Sequence, residues 1–589
     1  MVLRFLVFFL ISVVLSACGQ KHSTPQLAPA ISATTPTELT PRFNQLGYQA
    51  HGPKWFVIPG QQQVVFEIQN SLTGQSVLRG YTSTPAFWPE SAEWVSLADV
   101  SALQDAGSYR FIAEGITPVD FVVAKEPYAQ LHNAAIKAFY YNRASLTLEP
   151  HYAGIWARTA GHPDTLVKVH ASAASANRPA GFVLSAPKGW YDAGDYNKYV
   201  VNSGITTYTL LRAWTDFSAF YRHRQWQIPE SVNAIPDLLD EIMWNLDWLS
   251  AMQDPHDGGV YHKLTTLNFA GIVMPEHAVA ERYVVQKSTA AALNFAAVLA
   301  KASRTVQAFD TQWPGKAATY RQQALAAWQW AQRHPALIYQ QPDDVKTGEY
   351  GDKHLADEWA WAGVELFLLT GESGYLQHFT QLDAPLSAPS WASVAGLAYY
   401  SLLDAMRLNM PLDNSIRQRV TDSLQQAAAK IVTEHRQSAY RVAMQDKDFV
   451  WGSNAVAMNK AMLLYQAWRL NPEPEKVQAM HGLLDYVLGR NPLQLSYVTG
   501  FGQRSPQFIH HRPSAADDVA APVPGWLVGG PQPGQQDQCT YIHSLPALSY
   551  LDDWCSYASN EVAINWNAPL VYMLAALHHL GADAGFVAN

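Results

Sequence analysis

Near Tyr128 the apolar period of the chain changes, and that change constrains the fold more than any other feature. Upstream, short runs alternate between turn residues: Trp55-Phe56-Val57-Ile58 before Pro59-Gly60, Val64 to Ile68 before Asn70-Ser71, Gly107 to Ile112, and Val119 to Val123. Short strands at roughly 8–12 residue spacing predict a β-sandwich over 41–124. Downstream, apolar residues recur with helical spacing. Candidate helices are 128–142, 197–219, 233–253, 286–303, 316–333, 355–371, 391–407, 415–434, 453–469, 473–489 and 561–580. Pro236 after Asn233 marks the first turn of one of them. They predict a helical domain over 125–589, built as a closed barrel or a solenoid; period alone leaves both open.

Composition supports two packed regions: of 589 residues, 48% are hydrophobic and 15% charged. A net charge of −9 supplies no basic surface, so no nucleic-acid partner is expected. The 20 Trp and 28 Tyr suit a large core, and also clefts in which aromatic faces stack on sugar rings. Arg4 followed by the apolar run Phe5 to Val14 reads as a signal peptide over 1–18, too short for a membrane span. It ends in Leu15-Ser16-Ala17-Cys18, which resembles the bacterial lipobox. That resemblance implies lipidation of Cys18 and, with Gly19 following, the outer membrane. Residues 19–40, rich in Ser, Thr, Pro and Ala, read as a tether.

Three clusters carry chemistry. The first is Trp190-Tyr191-Asp192-Ala193-Gly194-Asp195, two carboxylates three apart before a helix. An Asp there serves as an N-cap, but one suffices, and a pair tunes each other's protonation and can hold one water. The second is Asp552-Asp553-Trp554-Cys555-Ser556-Tyr557 to Glu561, where Glu561 opens an apolar stretch and reads equally as a first-turn residue. The third runs from Ser496 through Gly500 and Gly502 to His510-His511-Arg512, a loop suited to a metal, an anion or sugar hydroxyls.

In this order the clusters resemble the signatures of glycoside hydrolase family 9, the inverting cellulases. Asp240-Glu241, Gly258 to Lys263 and Trp451-Gly452-Ser453-Asn454 add shorter matches. Phe43-Asn44-Gln45-Leu46-Gly47-Tyr48 resembles the start of the immunoglobulin-like module that precedes one branch of the family. The resemblance covers about 41–580 and implies an all-α (α/α)6 barrel catalytic domain preceded by a small all-β immunoglobulin-like sandwich. It further implies hydrolysis of β-1,4 bonds in cellulose or a related β-glucan, with Asp195 as general base, Asp192 assisting, and Glu561 as general acid. Inversion calls for carboxyls roughly 6.5–9.5 Å apart, and Glu561 is expected to have a raised pKa. His510 and Arg512 resemble sugar-hydroxyl contacts, and Asp552 a supporting carboxylate. Tyr557, Trp566 and Trp190 are candidates for stacking or positioning.

No cofactor is expected for the chemistry. The family's two-Cys, two-His zinc site is not expected, because 151–180 has His151, His162 and His170 but no Cys. Asp357 and Glu358 resemble one calcium-ligand pair. Cys539 and Cys555 are free to pair if the protein is exported. The implied partners are a β-glucan or oligosaccharide and a membrane, with the chain a monomer. Exo action on cello-oligosaccharides or glucosamine units is the alternative. A non-catalytic glycan-binding lipoprotein is disfavoured, since it predicts loss of Asp195 or Glu561. The immunoglobulin-like region shows no obvious aromatic row, so it is expected to buttress the barrel.

Overall fold

The computed structural model describes residues 39–581. Cys18 and nearly all of the 19–40 tether lie outside them. Among the described residues no helix is long and apolar enough to cross a membrane.

The N-terminal region is a sandwich of two sheets. One orders its strands Tyr48–Gln49, Ile116–Ala124, Gly107–Ala113, Val65–Asn70, Ser76–Tyr81, and the other Trp55–Pro59, Glu93–Asp99, Ala86–Trp88. Tyr48–Gln49 runs parallel to its neighbour and the remaining pairs are antiparallel. Side chains alternate across the strand Trp55–Pro59. Phe56 and Ile58 enter the sandwich core, where Phe56 stacks on Phe111 at 4.6 Å. Val57 points the other way, and with Val95 and Trp88 it joins the core of the helical region.

Two residues make the buttress specific. Trp88 packs on Tyr440 at 4.3 Å, and Asn44 Nδ2 donates to Asp485 Oδ1 at 2.8 Å. The expected lack of exposed aromatics does not hold. Phe87 and Trp94, opposite one another across two strands, are both exposed, as is Tyr81.

Among the described residues, six inner and six outer helices pair in the helical region, with shorter helices in its loops. Inner helices Val200–Tyr221, Thr289–Val306, Ala356–Thr370, Ala395–Arg407, Ser453–Leu470 and Ile564–Leu580 pair with outer Asp237–Ala251, Lys316–Arg333, Gln377–Gln381, Asn414–Gln437, Pro474–Val487 and Ala129–Tyr141. Sequence explains which ring each joins. Asn414–Gln437 buries the stripe Ile416, Val420, Leu424, Ala428 and Ile431, with Val432, Glu434 and His435 at its end, the signature of a one-sided helix. Thr289–Val306 is buried almost all round. Fully buried Arg212 ties the inner ring together: Nη1 donates to Tyr400 O and Asp404 Oδ2, and Nη2 to Gln466 Oε1. Arg's fixed fork suits partners on two further inner helices, Tyr400 and Asp404 on one and Gln466 on the other.

One element was not expected. Lys198–Tyr199, Lys263–Thr265, Tyr283–Val284, Val167–Val169 and Val183–Leu184 form a five-stranded sheet among the helices. Strands of two or three residues are too short to register as alternation. This sheet leads straight into the helix at Val200, so it sets where the preceding loop stands.

Candidate active site

The Asp192 to Asp195 loop crosses between that sheet and the C-terminal signature segments. Neither Asp caps a helix: Tyr199 holds the N-cap position before Val200. Asp195 Oδ2 accepts three hydrogen bonds, from Asn197 N at 3.2 Å, Asn197 Nδ2 at 2.5 Å and Tyr199 OH at 3.2 Å. Asp192 is fully buried; Asn202 Nδ2 donates to Oδ1 at 2.6 Å and Tyr350 OH to Oδ2 at 2.7 Å. Burial, then the neighbouring Asp195 charge, push Asp192 up to about 8 against those two donors. At neutral pH Asp192 therefore keeps its proton.

Gly194 joins the three clusters. Its N–H donates to Glu561 Oε1 at 3.2 Å, and its carbonyl accepts from Arg512 N at 3.1 Å and Arg512 Nη1 at 2.8 Å. A Cβ here would lie 2.1 Å from the His510 carbonyl oxygen, so only glycine fits. His510 in turn pairs with Glu561 as a parallel β-bridge.

Glu561 departs from expectation in its backbone. The helix begins at Ile564, and Glu561 is extended, at φ −74° and ψ 159°, after the short helix Tyr557–Asn560. It is not a first-turn residue stabilised by a helix dipole. Its pKa is raised well above the ordinary value, by burial first and by Asp195 second, with Asp192 adding; Gly194 N–H and Arg512 oppose. That agrees with the expected direction.

Asp552 fastens the signature segments to one another. Its carboxylate accepts from Gln507 N, Phe508 N and Asn560 Nδ2, so it holds the residue that precedes Glu561. His510 Nδ1 donates to Trp554 O at 2.7 Å, and its ring stacks on Trp554 at 4.3 Å. Burial lowers its pKa to about 4, so the ring is neutral and Nε2 carries the lone pair. The disulfide Cys539–Cys555, with Cα atoms 6.1 Å apart, ties the preceding loop to this segment.

Several expected substrate contacts are built into the frame. Arg512 gives Nη1 to Gly194 O and Nε to Ala270 O at 2.9 Å, holding the base loop in place. Trp190 is 1% exposed, with Nε1 donating to Glu241 Oε1, so it positions the loop and cannot stack on a sugar. Trp566 is largely buried beside Ala193 under Gly452. Tyr557 remains half-buried, edge-on to His510 at 5.8 Å. It also touches Trp451, which is 42% exposed and was not singled out as a platform. Tyr350, Tyr199 and Asn202 were missed.

The expected metal ligands are also placed. Asp357 Oδ2 accepts from Val394 N at 2.7 Å. Glu358 is fully buried, neither oxygen has a hydrogen-bond partner, and Asp352 Oδ2 lacks one too. Burial, Asp357 and Asp352 raise the Glu358 pKa. These orphaned oxygens suit a hard cation in charge and chemistry. As they stand, no group of three or more His, Cys, Asp or Glu among the described residues is arranged around a metal. His162 and His170 are engaged separately, with Tyr191 and with Asp344.

Residues 128–574 match the Glycosyl hydrolase family 9 model, and 40–118 match the Cellulase N-terminal ig-like domain model. The chain is 40% identical over 569 residues to the xyloglucan-specific endo-β-1,4-glucanase of Bacteroides ovatus, covering 94% of this chain and 96% of that one. It is 32% identical over 543 residues to Endoglucanase D of Acetivibrio thermocellus, covering 91% and 82%. A solved family 9 structure from Bacteroides ovatus superposes with a TM-score of 0.87 at 39% identity, covering 92% of this chain and 99% of that one. A thermostable endoglucanase from Alicyclobacillus acidocaldarius, in a single-mutant form, gives 0.83 at 32%, covering 92% and 99%. Two carboxyls on one loop, a third with a raised pKa and this two-domain fold agree with those matches: the chain belongs to glycosyl hydrolase family 9.

Proposed function

We propose that this glycoside hydrolase cuts β-1,4-glucan chains internally, with inversion, using Asp195 as base and Glu561 as acid. The observation that carries the reading is Glu561: a carboxyl whose hold on its proton is strengthened by burial and by Asp195, hydrogen-bonded to the loop that bears Asp195. A general acid needs that proton to neutralise the leaving oxygen. Asp195 has its three donors on Oδ2, leaving Oδ1 for the attacking water. Asp192, protonated, spreads less negative charge against that water than two ionised carboxylates would.

Internal cleavage is supported by relatives named as endoglucanases, and xyloglucan is the first substrate to test because the relative at 40% identity is named for it. Proton NMR of the earliest product should show the α anomer; retained β would end the inverting assignment. Viscosity of xyloglucan or carboxymethylcellulose should fall well ahead of reducing-end release. Monomer release from cello-oligosaccharides or chitosan oligomers without that fall would instead establish exo action.

Calcium would sit at Asp352, Asp357 and Glu358, neutralising buried carboxyls and supplying no catalytic step. Millimolar calcium should raise the thermal midpoint above that in EDTA, and Glu358→Gln should remove the difference; equal midpoints in the parent protein end this reading. Cys18 would carry acyl chains that hold the enzyme at the outer membrane, each buried CH₂ contributing about 0.8 kcal/mol. Cys18→Ser should move the protein from the membrane fraction to the soluble one; an unchanged distribution would argue against the anchor.

A further inference from the structure

Lys263 stands directly opposite Tyr199 in the small sheet. It is fully buried. Nζ donates to Gly348 O at 2.5 Å, Thr347 Oγ1 at 3.0 Å and Gln341 Oε1 at 3.0 Å. All three acceptors are neutral. A buried ammonium without a carboxylate in contact is costly. Burial drives it down to about 7, opposed by the charges of Asp195 and Glu349.

The segment that Lys263 holds reaches both carboxyls of the base loop. Gly348 N donates to Tyr199 OH at 3.1 Å, and that hydroxyl donates to Asp195 Oδ2. Two residues on, Tyr350 OH donates to Asp192 Oδ2. Tyr350 has φ +47°, a left-handed conformation uncommon for a bulky side chain. Backbone of this kind persists where its surroundings over-determine it. Here the restraints are the Lys263 contacts and His262 Nε2 donating to Glu349 O at 3.0 Å. His262 is itself stacked on Tyr339 at 3.9 Å.

The charges around Asp195 come from every side. Asp192 stands on its own loop and Glu561 on the C-terminal segment; Arg512 lies beyond Gly194 and is engaged with carbonyls. Lys263 faces it from the sheet.

We propose that Lys263 is a positioning residue for the base pair. It fixes the strained 347–350 segment so that Tyr199 and Tyr350 present their hydroxyls to Asp195 and Asp192, and it sets a cation on the sheet side of Asp195. The proposal rests on the reading of Asp195 as base.

The test is Lys263→Met in the full chain, with folding checked by circular dichroism and thermal midpoint. kcat should fall about 10- to 100-fold with KM within about twofold. The acid limb of kcat/KM, which follows ionisation of the base, should move to higher pH by about one unit. Lys263→Arg, which keeps the charge, should leave that limb in place even if its rate falls. A Lys263→Met limb that stays put would reduce Lys263 to a structural residue and overturn the proposal, as would an unchanged kcat. Should Lys263→Met not fold, Tyr350→Phe tests the positioning half: a lower kcat at unchanged KM supports it, and an unchanged kcat overturns it. Asp195→Asn serves as the control. If that variant keeps its rate, the base assignment fails; if it is inactive while the Lys263→Met limb is unmoved, the Lys263 proposal fails alone.

Discussion

Glu561→Gln is expected to lose about 100- to 10,000-fold in kcat/KM on a glucan chain while folding as the parent does. The amide keeps a carbonyl to accept from Gly194 N–H and discards only the proton that the leaving oxygen needs. The loss should depend on the leaving group. An aryl cellobioside whose phenol leaves as a stable anion needs no acid, so Glu561→Gln should approach the parent rate on it. Asp195→Asn should stay slow on both substrates, because the water still lacks its base. The pH profile gives the same division. Glu561 works protonated, and its pKa is raised, so the parent rate falls as pH climbs through that raised value. On the aryl substrate, Glu561→Gln should lack this alkaline fall. A variant equally slow on both substrates would remove Glu561 from the acid role.

How much of this was legible in the sequence depends on how locally each feature is encoded. The two domains were, because the change from period two to helical period near Tyr128 comes from side chains facing one core or another. So were most helix bounds: Lys316–Arg333 is found as expected, and Asn414–Gln437 within three residues at each end. Glu561 misled at the level of backbone. The apolar run behind it reads as one helix, but the β-bridge to His510 holds its residue extended. Trp190 and Arg512 carry the right signatures, yet a sequence cannot say whether an aromatic or a guanidinium faces a cleft or a carbonyl. Tyr350 had no signal at all. It lies 158 residues along the chain from Asp192, and only the packing of its loop against Lys263 brings them together.

Asp164→Asn is expected to destabilise the helical domain by about 3–5 kcal/mol, because it leaves two buried cations without their carboxylate. Asp164 Oδ2 lies 2.7 Å from Lys198 Nζ, and Arg282 Nε lies 3.0 Å from Oδ1, with the Asp164 side chain fully enclosed. Burial alone would raise Asp164; Arg282 and Lys198 overcome it and hold the carboxyl below its usual value. Lys198 shows the opposite balance, lowered to about 8 by burial despite Asp164. The two directions are compatible, since Asp164 has two cations and Lys198 must share one anion with Arg282. The sign for Asp164 follows from its depressed pKa. Its contribution is present above the unfolded carboxyl value and is lost as pH falls through the folded one, so the parent–variant difference in thermal midpoint should shrink in acid. Activity should fall as well. Arg282 Nη1 donates to Tyr196 O, and Lys198 precedes Tyr199, so both cations brace the loop that carries Asp195. Adding Lys198→Met to Asp164→Asn should recover part of the midpoint, because one stranded charge is gone. If the double variant is as unstable as the sum of the single ones, the penalty comes from lost packing rather than from unpaired charge.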